Sequence, residues 1–561
     1  MRKTRIALTL VAAVVLAACS SSTASQAPAS AGAGASAGAG ASTEPGATGP
    51  TGSLNIVVTS LTNLGEDYMV AATQEYKPFA DEIFDYVIDQ DQTGNLIPGL
   101  ATKWEASPDK LTWTFTLRDG VKFHNGDTLT GEDVAFSWNR LIFDPGTKHS
   151  LSGNKELIDS ITGEGNTVVV KTKEPLATWP MTVASLEGNM SGIVLPKKYF
   201  ESVGAQAFFR APVGTGPYKF VSADGASVGQ LTAFVDEGRN DWQVGRTPKV
   251  KDLTVMAVPE ASTRLSMLKS GAADLAPLTI SQLEDATSSG INIIGAPAAT
   301  FSGALCLGYT LNPASPCNDA KVREALSLAI DRGTIASSIY FGKAQPTAAF
   351  FAGPGTFGYP ADLATPPFDP DKAKTLLAEA GFDANNPLKV QIVTYSNDAD
   401  FPNLPTLAEA IVGYYQNIGI DASVQTMEWD AQDEASQEGS FTGQKNNPEV
   451  SPVTMFMRGM DNRWYFPPKQ ISVYTDHSGA GRGIWNFPEM QTKLEAVGAE
   501  FDTAKQEQMF ADYFRWMAQN HVDIPLLAAD GVFGASAKVK SWKPIAGKPF
   551  VHDMWTLEAN S

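Results

Sequence analysis

The chain has few of the side chains that most often bind metal ions. It contains three cysteines and five histidines among 561 residues. The histidines are His124, His149, His477, His521 and His552. They show no metal-ligand spacing with one another or with the cysteines. A P-loop, a zinc-protease helix and a dinucleotide-binding fingerprint are also absent from suitable sequence contexts. The sequence therefore predicts neither a metal site nor a cofactor.

Positive charge is scarce as well. The chain has 42 Lys and Arg residues against 61 Asp and Glu residues, which gives a formal net charge of −19. Binding to nucleic acid requires clustered Lys and Arg. The charge balance therefore excludes nucleic acid as an expected partner.

A hydrophobic run of membrane-spanning length is missing from the sequence. A shorter apolar run at residues 6–16 follows three positive charges, as in a secretory signal peptide. The run ends in the letters LAAC, the pattern of a bacterial lipobox, in which Cys19 would be diacylated. We expect residues 1–19 to be a lipoprotein signal peptide, and Cys19 to anchor the protein to the extracytoplasmic face of the cell membrane, at a cell surface or in a periplasm. The alternative is an ordinary cleavage site with an incidental cysteine.

Large side chains are absent from residues 20–52, where Ser, Ala, Gly, Thr and Pro predominate. Such a segment cannot bury a core, so its composition predicts a disordered linker that spans on the order of 30 Å. The chain as a whole is 43% hydrophobic. The roughly 500 residues beyond the linker are enough for two or three domains with hydrophobic cores.

Cys306 and Cys317 are the two remaining cysteines, and ten residues separate them. In an exported protein, a pair at this spacing predicts a disulfide that closes a local loop. Closing so short a loop contributes roughly 3 kcal/mol of stability.

The most regular pattern of the chain lies in residues 96–141. Apolar residues alternate with polar ones at Leu111, Trp113, Phe115 and Leu117. This alternation predicts a strand with one buried face. A turn follows, and Val121 and Phe123 then predict a second strand. Thr130 and Asp133 have the spacing of a capping box, which predicts a helix from there to about residue 140.

The same stretch resembles the signature of a known protein family. The letters PGLA, then W, then LTWTFTLRDGVKFHNGDTLTGEDVAFSWNR are similar to the family 5 bacterial extracellular solute-binding proteins, the receptors of peptide and nickel ABC importers. Residues 212–220, PVGTGPYKF, and residues 322–335, VREALSLAIDRGTI, match the family pattern too. The resemblance covers nearly all of the chain beyond the linker.

The resemblance implies an α/β fold of the periplasmic-binding-protein type II class, with two lobes and a ligand cleft between them. Lobe 1 would comprise residues 53–78, an extra subdomain at 79–189, residues 190–299 and a returning segment at 524–561. Lobe 2 would comprise residues 300–523. The resemblance also implies a receptor that works with an ABC importer permease, and we expect a monomer.

One formal match to a catalytic motif occurs, at residues 225–229, which read GASVG. A nucleophile elbow of the G-x-S-x-G type needs its serine on a sharp strand-to-helix turn. Strand-like runs flank this motif on both sides, so the pattern predicts a hairpin turn. A secreted lipoprotein hydrolase is the alternative class of function, and we expect the protein not to be an enzyme.

The resemblance implies two segments that contact the ligand. The loop after the first strand lines the cleft in the family, which indicates Glu66, Asp67 and Tyr68. The family's Leu-Asp-Pro is replaced by Leu-Thr-Asn at residues 61–63. The alternative interpretation of this loop is that its charges are simply solvated.

The second segment is residues 455–468. Peptide-binding members carry an Asp followed by Tyr or Asn there, and Asp461 and Asn462 match that pair. Residues 464–465, Trp-Tyr, replace the acidic-proline pair of the family. So many aromatic and cationic groups in one loop are more typical of a binding wall than of packing. The predicted ligand contacts in and after this segment are Arg458, Asp461, Asn462, Trp464, Tyr465 and Trp485.

Short peptides are the first predicted ligand, because the family is dominated by peptide receptors and Asp461 matches their amine anchor. Oligosaccharides are the second, since Trp464, Tyr465 and Trp485 could stack on sugar rings. Nickel or a metal chelate is the third predicted ligand. It ranks last because no local cluster of metal ligands accompanies the cleft residues.

Overall fold

A computed structural model describes most of the chain beyond the linker. The described residues are 49–61, 64–67, 69, 77–91, 95–147, 151, 154–185, 190–235, 247–307, 309–350, 352–396, 403–444, 446–461, 487–545, 548 and 551–560.

Nineteen strands lie in the described residues. They are β1 Thr51–Val58, β2 Ile88–Gln90, β3 Leu96–Pro98, β4 Ala101–Ala106, β5 Thr112–Leu117, β6 Ile158–Glu164, β7 Thr167–Thr172, β8 Tyr218–Asp224, β9 Val228–Ala233, β10 Val250–Ala257, β11 Leu275–Leu278, β12 Asn292–Cys306, β13 Ala344–Pro346, β14 Lys389–Tyr395, β15 Asp421–Met427, β16 Val453–Asp461, β17 Ile524–Ala535, β18 Val539–Ser541 and β19 Glu558–Ala559.

Fourteen α-helices lie in the same residues. They are α1 Lys77–Ala80, α2 Gly131–Phe143, α3 Trp179–Thr182, α4 Lys197–Val203, α5 Ala205–Arg210, α6 Ala261–Ser270, α7 Leu283–Ser288, α8 Ala320–Leu328, α9 Arg332–Ser338, α10 Pro370–Glu379, α11 Leu404–Asn417, α12 Trp429–Glu438, α13 Pro488–Ala499 and α14 Thr503–Gln519. Within the part of the chain that the structure describes, no helix is both long and apolar enough to span a membrane.

One large sheet runs through both lobes of the α/β fold. Its strand order is β15-β14-β16-β12-β17-β11-β1-β10-β9-β8, with β13 added on β17. Strands from the first half of the chain form one end of the sheet, and strands from residues 389–461 form the other. Two strands, β12 and β17, lie between these ends and pair antiparallel with each other.

Strands β12 and β17 lie where the two predicted lobes meet. The boundary predicted between residues 299 and 300 falls inside β12, and the returning segment predicted from residue 524 begins with β17. The pairing of β12 with β17 is interrupted twice, once between Ala296 and Thr300 and once between Phe301 and Gly303. Such bulges bend a strand and increase its twist locally. The link between the lobes is therefore a pair of irregular strands.

A second sheet, of order β4-β5-β7-β6, packs with α2 inside the predicted extra subdomain. The capping box of α2 is present, since the backbone N–H of Thr130 donates to Asp133 Oδ2 at 2.8 Å. The strand predicted at Val121 and Phe123 is wrong. Both side chains are buried, but the segment makes only an isolated bridge between Lys122 and Thr128. Two turns lie too close together there for a ladder to form.

The buried apolar side chains form two clusters. One is drawn from residues 54–299 and 533–557. The other is drawn mainly from residues 304–532, with a contribution from Val57 and residues 265–291. The second cluster therefore combines residues of both predicted lobes, so the two clusters do not coincide with the two lobes.

A disulfide joins Cys306, the last residue of β12, to Cys317, with their Cα atoms 6.5 Å apart. Both residues are buried. The Arg323 guanidinium donates through Nη1 to the carbonyl oxygen of Cys317 at 2.7 Å. The bridge and this hydrogen bond fix the connection between β12 and α8 in lobe 2.

Candidate ligand-binding site

The candidate site is the edge of lobe 2 where three parallel strands end. Strand β14 pairs in parallel with β15 on one side and with β16 on the other. Their last residues, Tyr395, Met427 and Asp461, therefore lie at the same edge of the sheet. In open α/β sheets, ligands bind outside the carboxyl ends of parallel strands. This edge is the place in lobe 2 where a ligand is expected.

Asp461 lies both at this edge and beside the lobe crossing. In the antiparallel pairing of β12 with β16, Asp461 is directly opposite Thr300. Thr300 is in turn opposite Ala529 of β17. The backbone of Asp461 is described and its side chain is not. Its position in the sheet places the predicted amine anchor next to β12 and one strand away from β17.

Arg458 belongs to the same strand but to its other face. Successive side chains of a strand point to opposite faces, so Arg458 shares a face with Phe456 and not with Asp461. The Arg458 guanidinium carbon lies 5.3 Å from the centroid of the Phe456 ring, and only 8% of the residue is exposed. Arg458 is thus packed against Phe456, and its role as a ligand contact stays a prediction.

The loop after β1 is attached to the extra subdomain by Asp67. Its carboxylate forms an ion pair with Arg140 of α2, and it also accepts from the Met69 N–H at 3.1 Å. The Arg140 guanidinium carbon lies 5.4 Å from the Phe200 ring centroid and 5.8 Å from that of Phe209. Asp67 therefore holds the loop in place, whereas Glu66 is exposed.

Several predicted residues lie outside the described part of the chain. They are Cys19, Tyr68, Asn462, Trp464, Tyr465 and Trp485. Whether they line the cleft stays a prediction.

Sequence reasoning missed two residues at the carboxyl edge of lobe 2. Ser396 follows β14 and Glu428 follows β15, and the Ser396 hydroxyl donates to Glu428 Oε1 at 2.8 Å. Glu428 is exposed and is the N-cap residue of α12. Apolar residues alternate with polar ones at Ile420, Ala422 and Val424, which is typical of a strand, so the residue after the end of that strand can be proposed as a ligand contact from the sequence.

The G-x-S-x-G match lies on a hairpin, as predicted. Strands β8 and β9 are antiparallel, and Asp224 pairs with Val228 across the turn. The Ser227 N–H donates to the Asp224 carbonyl oxygen at 3.2 Å, and Gly225 has φ of 54°. A nucleophile elbow requires a strand-to-helix turn, so this serine has the wrong setting for catalysis.

Comparison with known proteins relates the chain to binding proteins. Residues 95–447 match the profile described as bacterial extracellular solute-binding proteins, family 5, middle region. The dipeptide-binding protein of Escherichia coli is 28% identical over 455 residues, which cover 74% of this chain and 78% of that protein. Heme-binding protein A of Haemophilus influenzae is 28% identical over 469 residues, covering 78% and 80%.

Solved structures agree with the fold. The ABC transporter substrate-binding protein CtaP of Listeria monocytogenes superimposes with a TM-score of 0.74 and 21% identity, covering 91% of this chain and 99% of that one. Such a superposition over nearly the full length supports the two-lobed architecture.

Proposed function

Because the chain belongs to family 5 of the bacterial extracellular solute-binding proteins, the receptors of ABC importers, we propose that its ligands are short peptides. We further propose that a lipid on Cys19 anchors it to the extracytoplasmic face of the cell membrane. In this proposal a peptide enters the cleft between the lobes, and closure of the lobes presents it to the importer permease.

The position of Asp461 is the single observation that carries the peptide assignment. It ends a strand at the carboxyl edge of lobe 2, directly opposite a residue of the lobe crossing. A peptide ammonium group that enters a closed cleft loses its water, and an unpaired buried cation costs several kcal/mol. A carboxylate at this position would compensate for that loss.

The relatives support a peptide ligand without fixing it. The Escherichia coli relative is a dipeptide-binding protein, whereas the Haemophilus influenzae relative is a heme-binding protein. Oligosaccharides remain the second proposal, through Trp464, Tyr465 and Trp485, and a nickel or other metal chelate remains the third.

Mass spectrometry of small molecules released from the purified, denatured protein tests the proposal. We expect peptides with free amino termini. Calorimetry with the dipeptide Met-Leu and with N-acetyl-Met-Leu follows, and only the free dipeptide should bind. It should also be recovered chemically unchanged, which a hydrolase would not allow. Release of sugars or chelates, or equal binding of the acetylated form, would overturn the peptide assignment.

A further inference from the structure

We propose that Tyr395 is a positioning residue for ligand binding, which acts through the strand that carries Asp461. The inference rests on the proposed function, because it assigns Asp461 to the ligand. The Tyr395 hydroxyl contacts the backbone of β16 and does not need to touch the ligand itself.

The end of β16 lacks backbone pairing with β14. The parallel ladder between these strands stops at the pair Val393 and Phe456. Among the described residues, the segment that continues to Asp461 therefore has a regular backbone partner, β12, on one side only. A strand end held on one side is free to twist or fray.

Tyr395 closes the open side with its side chain. Its hydroxyl donates to the Gly459 carbonyl oxygen at 3.3 Å and accepts from the Gly459 N–H at 3.2 Å. Tyr395 is 3% exposed, and Gly459 is buried. A single hydroxyl thus satisfies both backbone groups of a residue two positions before Asp461.

A second hydroxyl makes the same arrangement on the neighbouring strand pair. Ser302 of β12 pairs with Gly459. The Ser302 hydroxyl donates to the Leu527 carbonyl oxygen at 3.3 Å and accepts from the Leu527 N–H at 3.2 Å. This bridge lies where the pairing of β12 with β17 shifts register between Phe301 and Gly303.

The two bridges lie in one row across four strands. The row runs from Leu527 through Ser302 and Gly459 to Tyr395, across β17, β12, β16 and β14. The row therefore connects β17 to the strand end that bears Asp461. In it, hydroxyl groups make the hydrogen bonds at two places where regular backbone pairing between neighbouring strands is interrupted. The Tyr395 hydroxyl fixes the position and twist of the strand end that carries Asp461.

Tyr395→Phe removes only the hydroxyl, and Tyr415→Phe is the matched control. Tyr415 lies fully buried in α11 of the same lobe, and its hydroxyl has no hydrogen-bond partner among the described residues. We expect Tyr395→Phe to weaken Met-Leu binding about tenfold, as for one lost hydrogen bond of ordinary strength. Tyr415→Phe should leave the affinity unchanged.

Two readouts separate positioning from a general loss of stability. Hydrogen exchange by mass spectrometry should show faster exchange at residues 455–461 in Tyr395→Phe and not in Tyr415→Phe. The affinity ratio between Met-Leu and its des-amino analogue should also fall, because only the amine depends on Asp461. A merely structural role would weaken both ligands equally.

Unchanged exchange at residues 455–461 in Tyr395→Phe would overturn the proposal. Faster exchange with an unchanged affinity ratio would overturn the role in ligand binding. Failure of the unmodified protein to bind any free peptide would instead overturn the proposed function, and the exchange measurement would then decide alone whether Tyr395 holds β16.

Discussion

Thr300 of β12 lies directly opposite Asp461 of β16. The strand that contains the predicted lobe boundary is therefore also the backbone partner of the proposed amine anchor. The pairing of β12 with β17 shifts its register before Thr300 and again after Phe301. These two residues therefore form a short paired segment between two irregular parts of the strand. A ligand held at Asp461 would act on the strand that must bend when the lobes close.

Asp461→Asn should abolish measurable peptide binding. Removing one member of a buried, hydrogen-bonded charge pair costs about 2 to 5 kcal/mol, which is roughly thirtyfold to several-thousandfold in affinity. Calorimetry with Met-Leu measures this loss. The melting temperature of the ligand-free protein should change little, because the substitution keeps the shape of the side chain.

Asp421→Asn provides the control for this variant. Asp421 is an exposed aspartate that begins β15, at the opposite end of the same group of strands. The Asp421→Asn variant should bind peptide with the affinity of the unmodified protein. An oligosaccharide site would lose only a neutral hydrogen bond in Asp461→Asn, about 0.5 to 1.5 kcal/mol, and would suffer more from Trp464→Ala. Binding within threefold of the unmodified protein would refute the amine-anchor assignment.

Cys19→Ser should release the folded receptor from the membrane. Two or three acyl chains hold a protein stably on a bilayer, because each buried CH₂ contributes roughly 0.8 kcal/mol. Without the thiol there is no site for the lipid. Fractionation of cells that produce each form measures the effect, and a variant that remains in the membrane fraction would contradict lipid anchoring.

Local sequence signals determine where individual helices begin. Asp369 caps α10 with its side chain and Pro370 is the first residue of that helix, because both preferences act within one turn. The pattern at Val121 and Phe123 predicted a strand; both side chains are buried, but the strand does not form. Strand pairing requires a sufficient number of residues as well as an alternating pattern, and the two adjacent turns leave too few residues between them. The domain boundaries themselves stay predictions.

The site was less predictable, because its geometry depends on partners far apart in the sequence. The pairing of Thr300 with Asp461 joins residues of two distant strands, and no local pattern sets that register. The ion pair that commits Asp67 to Arg140 joins a loop to a distant helix. The sequence alone shows the charge of Asp67 and not its partner Arg140, and a role of Asp67 in ligand contact stays a prediction.

Ala298→Gly should stabilise the lobe crossing. Ala298 has φ of 46°, in the left-handed region that favours glycine. Its N–H donates to Asp530 Oδ1 at 3.0 Å, so the conformation is held from β17. A non-glycine residue there costs about 1 kcal/mol, and the free energy of unfolding should rise by about that amount in urea titrations.

Ala304→Gly, in the regular part of the same strand, is the control for this change. It should lower the free energy of unfolding, because glycine in a strand interior adds unfolded-state entropy and removes packing. If both variants lose stability to a similar extent, Ala298 carries no backbone strain.

Asp523→Asn should change how stability depends on pH. Asp523 immediately precedes β17, is 8% exposed, and accepts from the Phe350 N–H at 3.1 Å. Burial raises the pKa of its carboxyl group from 3.8 to about 6, against the opposing charge of Arg332. Burial also raises the pKa of the neighbouring phenols Tyr359 and Tyr513, so both remain neutral in this range.

The direction follows from proton counting. Between about pH 4 and 6 the folded protein holds more protons on this group than the unfolded chain, so its contribution to stability falls as the pH rises through that window. Since one pKa unit corresponds to about 1.4 kcal/mol, the stability lost across this pH window is at most on the order of 3 kcal/mol. Asparagine stays neutral and can still accept the Phe350 N–H. The free energy of unfolding of Asp523→Asn, relative to the unmodified protein, should therefore increase from pH 4 to 6 and then level off. A difference independent of pH would mean that Asp523 does not titrate in this range.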